Sequence, residues 1–306
     1  MDKSKKVKKP LTKARVIELI QSYLMISYKT IGIIVFVFLP LCWILRFCVY
    51  KYKGYGTMKF VGLYQFQRAF QDEVYWQSVK NTFVFATVKL CFEIPIALVT
   101  AFLLSKKLKF RNFFRALYFM PTLLPTAIIG VIFTYLFAHQ GGAINELLKA
   151  VGLQPVEWFR YGNTAMAMLI IASVWCNFGT NMLFFMTGIG NIDPTLYEAA
   201  TVDGASTTKQ FFKITIPLLG PVLQMVLMNA FLGSLKVTEL VITLTDGRPN
   251  HETAVMMTQI YSKFFTSSGA KDYGYASALT VITAVILGFF TVIYLKTTKK
   301  SAAVLD

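Results

Sequence analysis

Long apolar runs alternate with short polar segments along the chain. Six runs of about 20 residues stand out, at 31–50, 82–104, 117–137, 165–187, 218–235 and 277–295. Each is long enough to cross a hydrocarbon layer of about 30 Å as a helix. The fifth is the least clean, because Lys236 and Glu239 crowd its end. The pattern predicts an all-α polytopic membrane protein with six transmembrane helices.

Composition supports this and removes alternatives. Of 306 residues, 55% are hydrophobic and 15% are charged. A soluble domain carries about 25% charge, and a disordered chain has low hydrophobicity. The 27 phenylalanines and 12 methionines suit a surface facing lipid.

The formal charge of +16 sits beside the apolar runs, which is the signature of topology rather than of nucleic-acid binding. With both termini inside, segments 1–30, 105–116, 188–217 and 296–306 carry 18 Lys and Arg, and the opposite loops carry 11. The short loop 105–116 alone holds Lys106, Lys107, Lys109, Arg111 and Arg115. Short loops follow the positive-inside rule best, so the expected orientation is N-in, C-in.

Residues 1–10 form a lysine-rich tail. Val16, Leu19, Ile20, Tyr23 and Leu24 then recur at helical spacing, which predicts a basic amphipathic helix on the inner leaflet. Residues 1–28 are therefore expected as tail and interfacial helix, and 29–306 as the membrane domain. The basic stretch is too long for a cleaved signal peptide. Cys42, Cys48, Cys91 and Cys176 fall in apolar runs without C-x-x-C spacing and read as small buried hydrophobes. His139 and His251 are far apart, so no metal site is expected.

Two of the loops expected outside are rich in aromatics. Tyr52, Tyr55, Tyr64, Phe66, Phe70, Tyr75 and Trp76 lie in one, and Trp158 closes the other. Such segments suit the membrane–water interface or the reception of a soluble partner.

The stretch 188–217 carries the most specific signal. Pro194 suits a first helical turn, and Leu196 to Val202 are followed by Gly204, which ends the helix. Ser206 is an N-cap for the next helix. Phe211, Phe212, Ile214 and Ile216 give it an apolar side, and Pro217 is expected to set the lead into the fifth run.

Glu198-Ala199-Ala200, then Gly204, then Ile214 and Ile216-Pro217, resembles the EAA loop of ABC importer permeases. The family usually has Leu before the Pro. The resemblance covers nearly the whole chain and is similar to the maltose, glycerol-phosphate and multiple-sugar permease subfamily. Phe60-Val61-Gly62-Leu63, Trp76 with Asn81-Thr82, and Gly274-Tyr275-Ala276-Ser277-Ala278 also resemble that subfamily. Its usual Leu-Thr-x-Gly-Gly-Pro stands here as Leu244-Thr245-Asp246-Gly247-Arg248-Pro249, with Arg248 in place of a glycine.

The resemblance implies a type I ABC importer permease fold and a coupling helix that docks on an ATPase. Glu198 would offer charge, Ala199 and Ala200 close approach, and Gly204 the turn, with Asp203, Ile214 and Pro217 in the same segment. It implies a second permease subunit, two ATPase subunits and an extracytoplasmic sugar-binding protein, in a prokaryotic cell membrane. No phosphate-binding Gly-x-x-x-x-Gly-Lys-Ser/Thr loop occurs, so ATP and Mg are expected on the partner ATPase, with no cofactor on this chain.

Polar residues inside apolar runs are costly and often functional. Lys89 and Glu93 are four apart, hence on one helix face, with Pro95 placed to kink the helix. They read as a gating pair or sugar contact, or as a self-satisfied ion pair. Trp175, Asn177, Thr180 and Asn181 offer hydrogen bonds and ring stacking for a sugar, or polar glue between helices. Tyr135 and Asn229 are further substrate-path candidates. The competing classes are a self-contained secondary transporter or channel and a non-transporting scaffold or insertase. The former predicts inverted repeats and coupling-ion carboxylates. No repeat is evident, and Glu93 is the one clear mid-run carboxylate.

Overall fold

In the computed structural model, α1 (Lys13–Ile33), a π turn (Ile34–Phe38) and α2 (Leu39–Phe47) form one continuous helical rod. The structure describes residues 13–106, 108–265 and 271–302. The lysine-rich tail 1–10 and Lys107 lie outside the described residues. The helix over the segment expected at the surface continues without a break into the first apolar run. Pro40 explains the π turn: it has no N–H to donate and its ring crowds the carbonyl four residues back.

A two-residue ribbon follows, β1 (Tyr50–Lys51) antiparallel to β2 (Lys59–Phe60), then α3 (Tyr64–Phe70) and the long α4 (Glu73–Ser105). Asp72 caps α4 by accepting from Tyr75 N at 3.1 Å. Asp72 also accepts from the Tyr275 hydroxyl, and Arg68 pairs with Asp272 at 2.7 Å, which fastens this end of the molecule. Pro95 lies inside α4 without ending it.

The third apolar run is not one straight span. It divides into α5 (Arg111–Phe119), a 3-10 turn (Met120–Leu123) and α6 (Thr126–Leu136). The two pieces meet at 99°. Pro125 is the cause, because a residue preceding proline avoids helical geometry. Leu124 is extended, at φ −81° and ψ 139°.

Next come α7 (Ala143–Ala150), α8 (Gly162–Gly190), α9 (Pro194–Val202) and α10 (Thr207–Gln210). A π turn (Phe211–Thr215) leads to α11 (Ile216–Leu218) and α12 (Gly220–Leu235). The chain bends by 74° between these last two helices. The bend lies at Leu219–Gly220, ahead of Pro221, not at Pro217, which sits inside α11. Pro221 cannot donate back to residue 217, so the ladder stops there. The chain closes with α13 (Glu239–Leu244), α14 (Met256–Phe265) and α15 (Tyr273–Ala302).

Among the described residues four helices are long and apolar enough to cross a membrane, or up to six if each bent pair counts as one span. The helix α4 is the hub, since it supplies side chains to all three apolar clusters. Ile94, Ala101 and Phe102 pack with Met182 and Phe185 of α8 and Val226 of α12. Phe85 packs with Leu169 of α8, Ile129 of α6 and Val241 of α13. Tyr75 and Val79 pack with Met256 of α14 and Leu279 of α15. Ala97, Ala101, Ala165 and Ala172 are fully buried, and such small residues let membrane helices approach closely. Cys48 and Cys176 are buried as expected, but Cys42 and Cys91 are exposed on the outer faces of α2 and α4. Their apolar surroundings are therefore the environment around the protein, not its core.

The elbow after α5 rests on α8. Thr122 Oγ1 donates to Cys176 O at 2.7 Å, and Gly179 lies against the Tyr118–Phe119 backbone, where a side chain would collide. Gly179→Leu is expected to lower stability by about 1–3 kcal/mol through overpacking. A thermal scan of the solubilised protein checks this, with Gly190→Leu, whose Cβ meets nothing, as the control.

The loop after α6 is organised by one buried side chain. Asn145 Nδ2 donates to Ala138 O at 3.0 Å and Val156 O at 3.0 Å, and its Oδ1 accepts from Val156 N at 2.9 Å and Trp158 Nε1 at 3.2 Å. Asn145→Ala would leave several of these groups without partners, at about 1–3 kcal/mol. Faster proteolysis within 138–160 is the expected readout.

Candidate functional site

The segment 188–217 folds as two short helices locked to each other. Pro194 opens α9, and Asp193 caps it by accepting from Thr195 N at 2.9 Å. That backbone hydrogen bond, with a second from the Thr195 side chain, holds the Asp193 carboxyl below the usual carboxylate range. At the other end Ala205 N bonds Ala200 O at 2.8 Å and Gly204 N bonds Thr201 O at 3.1 Å. This pair of bonds closes a helix with a left-handed residue, and Gly204 supplies it at φ +72°. Ser206 caps α10, accepting from Lys209 N at 3.3 Å.

Gln210 Nε2 then reaches back to Thr201 Oγ1 at 3.0 Å, and the Tyr197 and Thr215 hydroxyls meet at 2.9 Å. Phe211 is buried against Phe102 at the end of α4, so the segment is anchored to the bundle. Phe212 is exposed, and Ile214 and Ile216 are half-buried, so the expected apolar side is only partly covered. Outward stand Glu198, Ala199, Val202, Asp203 and Gly204, a mixed acidic and apolar surface on a preformed scaffold.

A cavity of about 480 Å³ opens between α4, α6, α8, α12 and α13. Lys89 and Glu93 of α4 form its floor, with Nζ and Oε2 3.2 Å apart. Lys89 Nζ also meets Ser234 Oγ of α12 at 3.1 Å, and Asn181 Nδ2 of α8 donates to Glu93 Oε1 at 2.6 Å. One polar network thus ties three helices at the cavity wall. Asn177 donates to Ser173 O one turn back, at 2.7 Å, and Asn229 is exposed.

Of the residues singled out from the sequence, Lys89, Glu93, Asn177, Thr180, Asn181 and Asn229 come together on this wall. Trp175 and Tyr135 do not. Trp175 packs its ring 5.7 Å from Phe133, and Tyr135 is exposed on α6. Sequence reasoning missed Phe184, Thr126 and Ser234. Phe184 follows Asn177 and Asn181 on the same helical face, so extending that periodicity finds it. Arg248 lies on an exposed loop 3.7 Å from Asp246, a surface pair of little energetic weight.

Residues 93–298 match the model of the binding-protein-dependent transport system inner membrane component family, a segment that holds the α9–α10 hairpin and all of the cavity lining but Lys89. The chain belongs to this family. The permease is 32% identical to the trehalose/maltose transport system permease protein MalF of Thermococcus litoralis, over 90% of this chain and 92% of that one. It is 30% identical to the arabinooligosaccharides transport system permease protein AraP of Bacillus subtilis, over 79% and 77%.

Its fold is shared with a bacterial ABC transporter involved in the import of the acidic polysaccharide alginate. The TM-score is 0.81 at 22% identity, over 94% of this chain and 99% of that one. A bacterial alginate ABC transporter in complex with an alginate pentasaccharide-bound periplasmic protein gives 0.82 at 23% identity, over 93% of this chain and 96% of that one. The permease is an integral membrane subunit of an ABC importer and not an enzyme, and ATP hydrolysis is the work of separate ATPase subunits.

Proposed function

We propose that the permease forms, with a second and different permease subunit, the path for a di- or oligosaccharide delivered by an extracytoplasmic binding protein. The observation that carries this is the polar cavity of about 480 Å³ between α4, α8 and α12 in a chain that presents the Glu198–Gly204 surface at one end. Relatives named for trehalose/maltose, arabinooligosaccharides and lactose support the saccharide. Six spans with both termini inside a prokaryotic cell membrane complete the reading. It places the basic loop 105–116 and the α9–α10 hairpin on the cytoplasmic side.

On this reading Glu198, Ala199, Ala200, Asp203 and Gly204 meet one of two ATPase subunits, which hold ATP and Mg. Ile214 and Pro217 carry the motion into α12. Lys89, Glu93, Asn177, Asn181 and Asn229 line the path. Closure of the ATPase dimer then rocks the helices between two access states.

The test is ATP hydrolysis by the complex purified from native membranes and reconstituted with its binding protein, against a panel of saccharides. Stimulation by one saccharide is expected. A chain that purifies without any ATPase would sink the importer reading and favour a self-contained transporter.

A further inference from the structure

We propose that the lysine face of the β1–β2 ribbon is a binding site for the phosphate of an anionic phospholipid at the outer boundary of the membrane. The inference rests on the six-span, N-in reading and goes beyond the transport path.

The ribbon has two chemically different faces. Tyr50 pairs across it with Phe60, their rings 5.5 Å apart, and Tyr52 packs between Phe47 and Tyr273 at 5.6 and 5.9 Å. Successive strand residues alternate sides, so Lys51 and Lys59 share the opposite face. They stand directly across from each other in the register, and both are exposed. Like charges in that position repel and weaken the pairing. Lys53 follows two residues after Lys51, and Arg46 is exposed in the last turn of α2. Among the described residues none of these four cations makes an ion pair. No Asp or Glu occurs between residues 19 and 71. Asp72 is occupied in capping α4 and accepting from Tyr275, and Asp272 is held by Arg68.

Position selects the anion. The ribbon begins at Tyr50, three residues after α2 ends at Phe47, a reach of about 10 Å. On the N-in reading that is the headgroup layer of the outer leaflet. Outer loops next to a span normally avoid cations, so these four stand where the positive-inside rule disfavours them. Leu63, Tyr64 and Phe70, at the adjoining α3, are exposed as well. A surface both apolar and cationic at that depth matches a phosphodiester above acyl chains rather than a soluble partner. A phosphate between the two ammonium groups turns their repulsion into a shared attraction.

The test identifies what touches the ribbon. A p-benzoylphenylalanine is placed at position 57, two residues before Lys59. The whole complex is then reconstituted in phosphatidylcholine vesicles holding a minor share of phosphatidylglycerol. After irradiation the adducts on this chain are identified by mass, and co-purifying ATPase is scored on the same sample. Labelling of Thr57→Cys in whole cells by a membrane-impermeant thiol reagent, against the parent chain, checks the side of the membrane separately.

Phosphatidylglycerol is expected among the adducts at roughly five times its bulk share. Lys51→Gln with Lys59→Gln should return it to the bulk share, and assembly should survive because the change removes a repulsion. A bulk share with both lysines in place overturns the proposal and leaves them as guards of an exposed sheet edge. That result needs no lysine variant. Adducts with another protein chain overturn it too, in favour of a docking surface. So does loss of the enrichment in excess inorganic phosphate at matched ionic strength, which would make the bound species a free anion. Undiminished enrichment in the double variant would take the site away from Lys51 and Lys59. Absence of the ATPase, or of labelling at Thr57→Cys, is a separate failure, that of the importer reading or of its orientation.

Discussion

Replacing Lys89 with methionine is expected to destabilise the permease by about 3–5 kcal/mol, the cost of leaving a buried charge without its partner. Glu93 has nowhere to turn. Its side chain is 1% exposed, and Asn181 supplies a dipole but no charge. Adding Glu93→Gln should restore most of the loss, since removing both charges removes the desolvation cost with the attraction. Thermal midpoints of the solubilised complex for the two single variants and the double close the cycle. A loss in the double variant equal to the sum of the two single losses would mean that the ion pair carries no coupling.

The second large effect is expected at Glu198. It stands exposed on α9, beside Ala199 and the C-terminal turn closed by Gly204. Among the described residues it makes no hydrogen bond or ion pair, so Glu198→Lys should fold normally. On the proposed reading its consequence falls on docking, where reversing a charge would set like against like. Sugar uptake driven by ATP is expected to fall by roughly a hundredfold, with the ATPase lost on purification. Glu198→Gln, which removes the charge without reversing it, should keep much of both. Full uptake by Glu198→Lys would remove this residue from the coupling surface.

Local chemistry was the most legible part of the chain. Pro194, Gly204 and Ser206 each do in the structure what a single residue can announce: start a helix, leave it left-handed, and cap the next. The apolar runs were legible for a similar reason, because length alone decides whether a segment can cross a bilayer. Direction was not. A run of apolar residues averages over Pro121 and Pro125, and so it hid the 99° elbow that Leu124 makes.

The cavity was readable by halves. Asn177 and Asn181 share a face by spacing, and so do Lys89 and Glu93, but the contact of Lys89 with Ser234 joins residues 145 apart in sequence. Trp175 is two positions from Asn177, which on a helix turns it toward Phe133. The exposed Cys42 and Cys91 show a related limit: apolar context says that a side chain avoids water, not whether it meets protein or lipid.

The elbow also bears on what fills the cavity before a ligand comes. Thr122 fixes the break against Cys176, about halfway along α8, and Thr126 begins α6 on the cavity wall. Non-helical backbone at such a depth is tolerated only where protein or a water-filled space satisfies it. The break and the polar wall therefore call for solvent, and on the proposed reading a sugar would enter by exchanging ordered water for its own hydroxyls. Affinity in the cavity is then the difference between two nearly matched sets of hydrogen bonds. A small difference is what a transport path needs, since a ligand held tightly there would not leave.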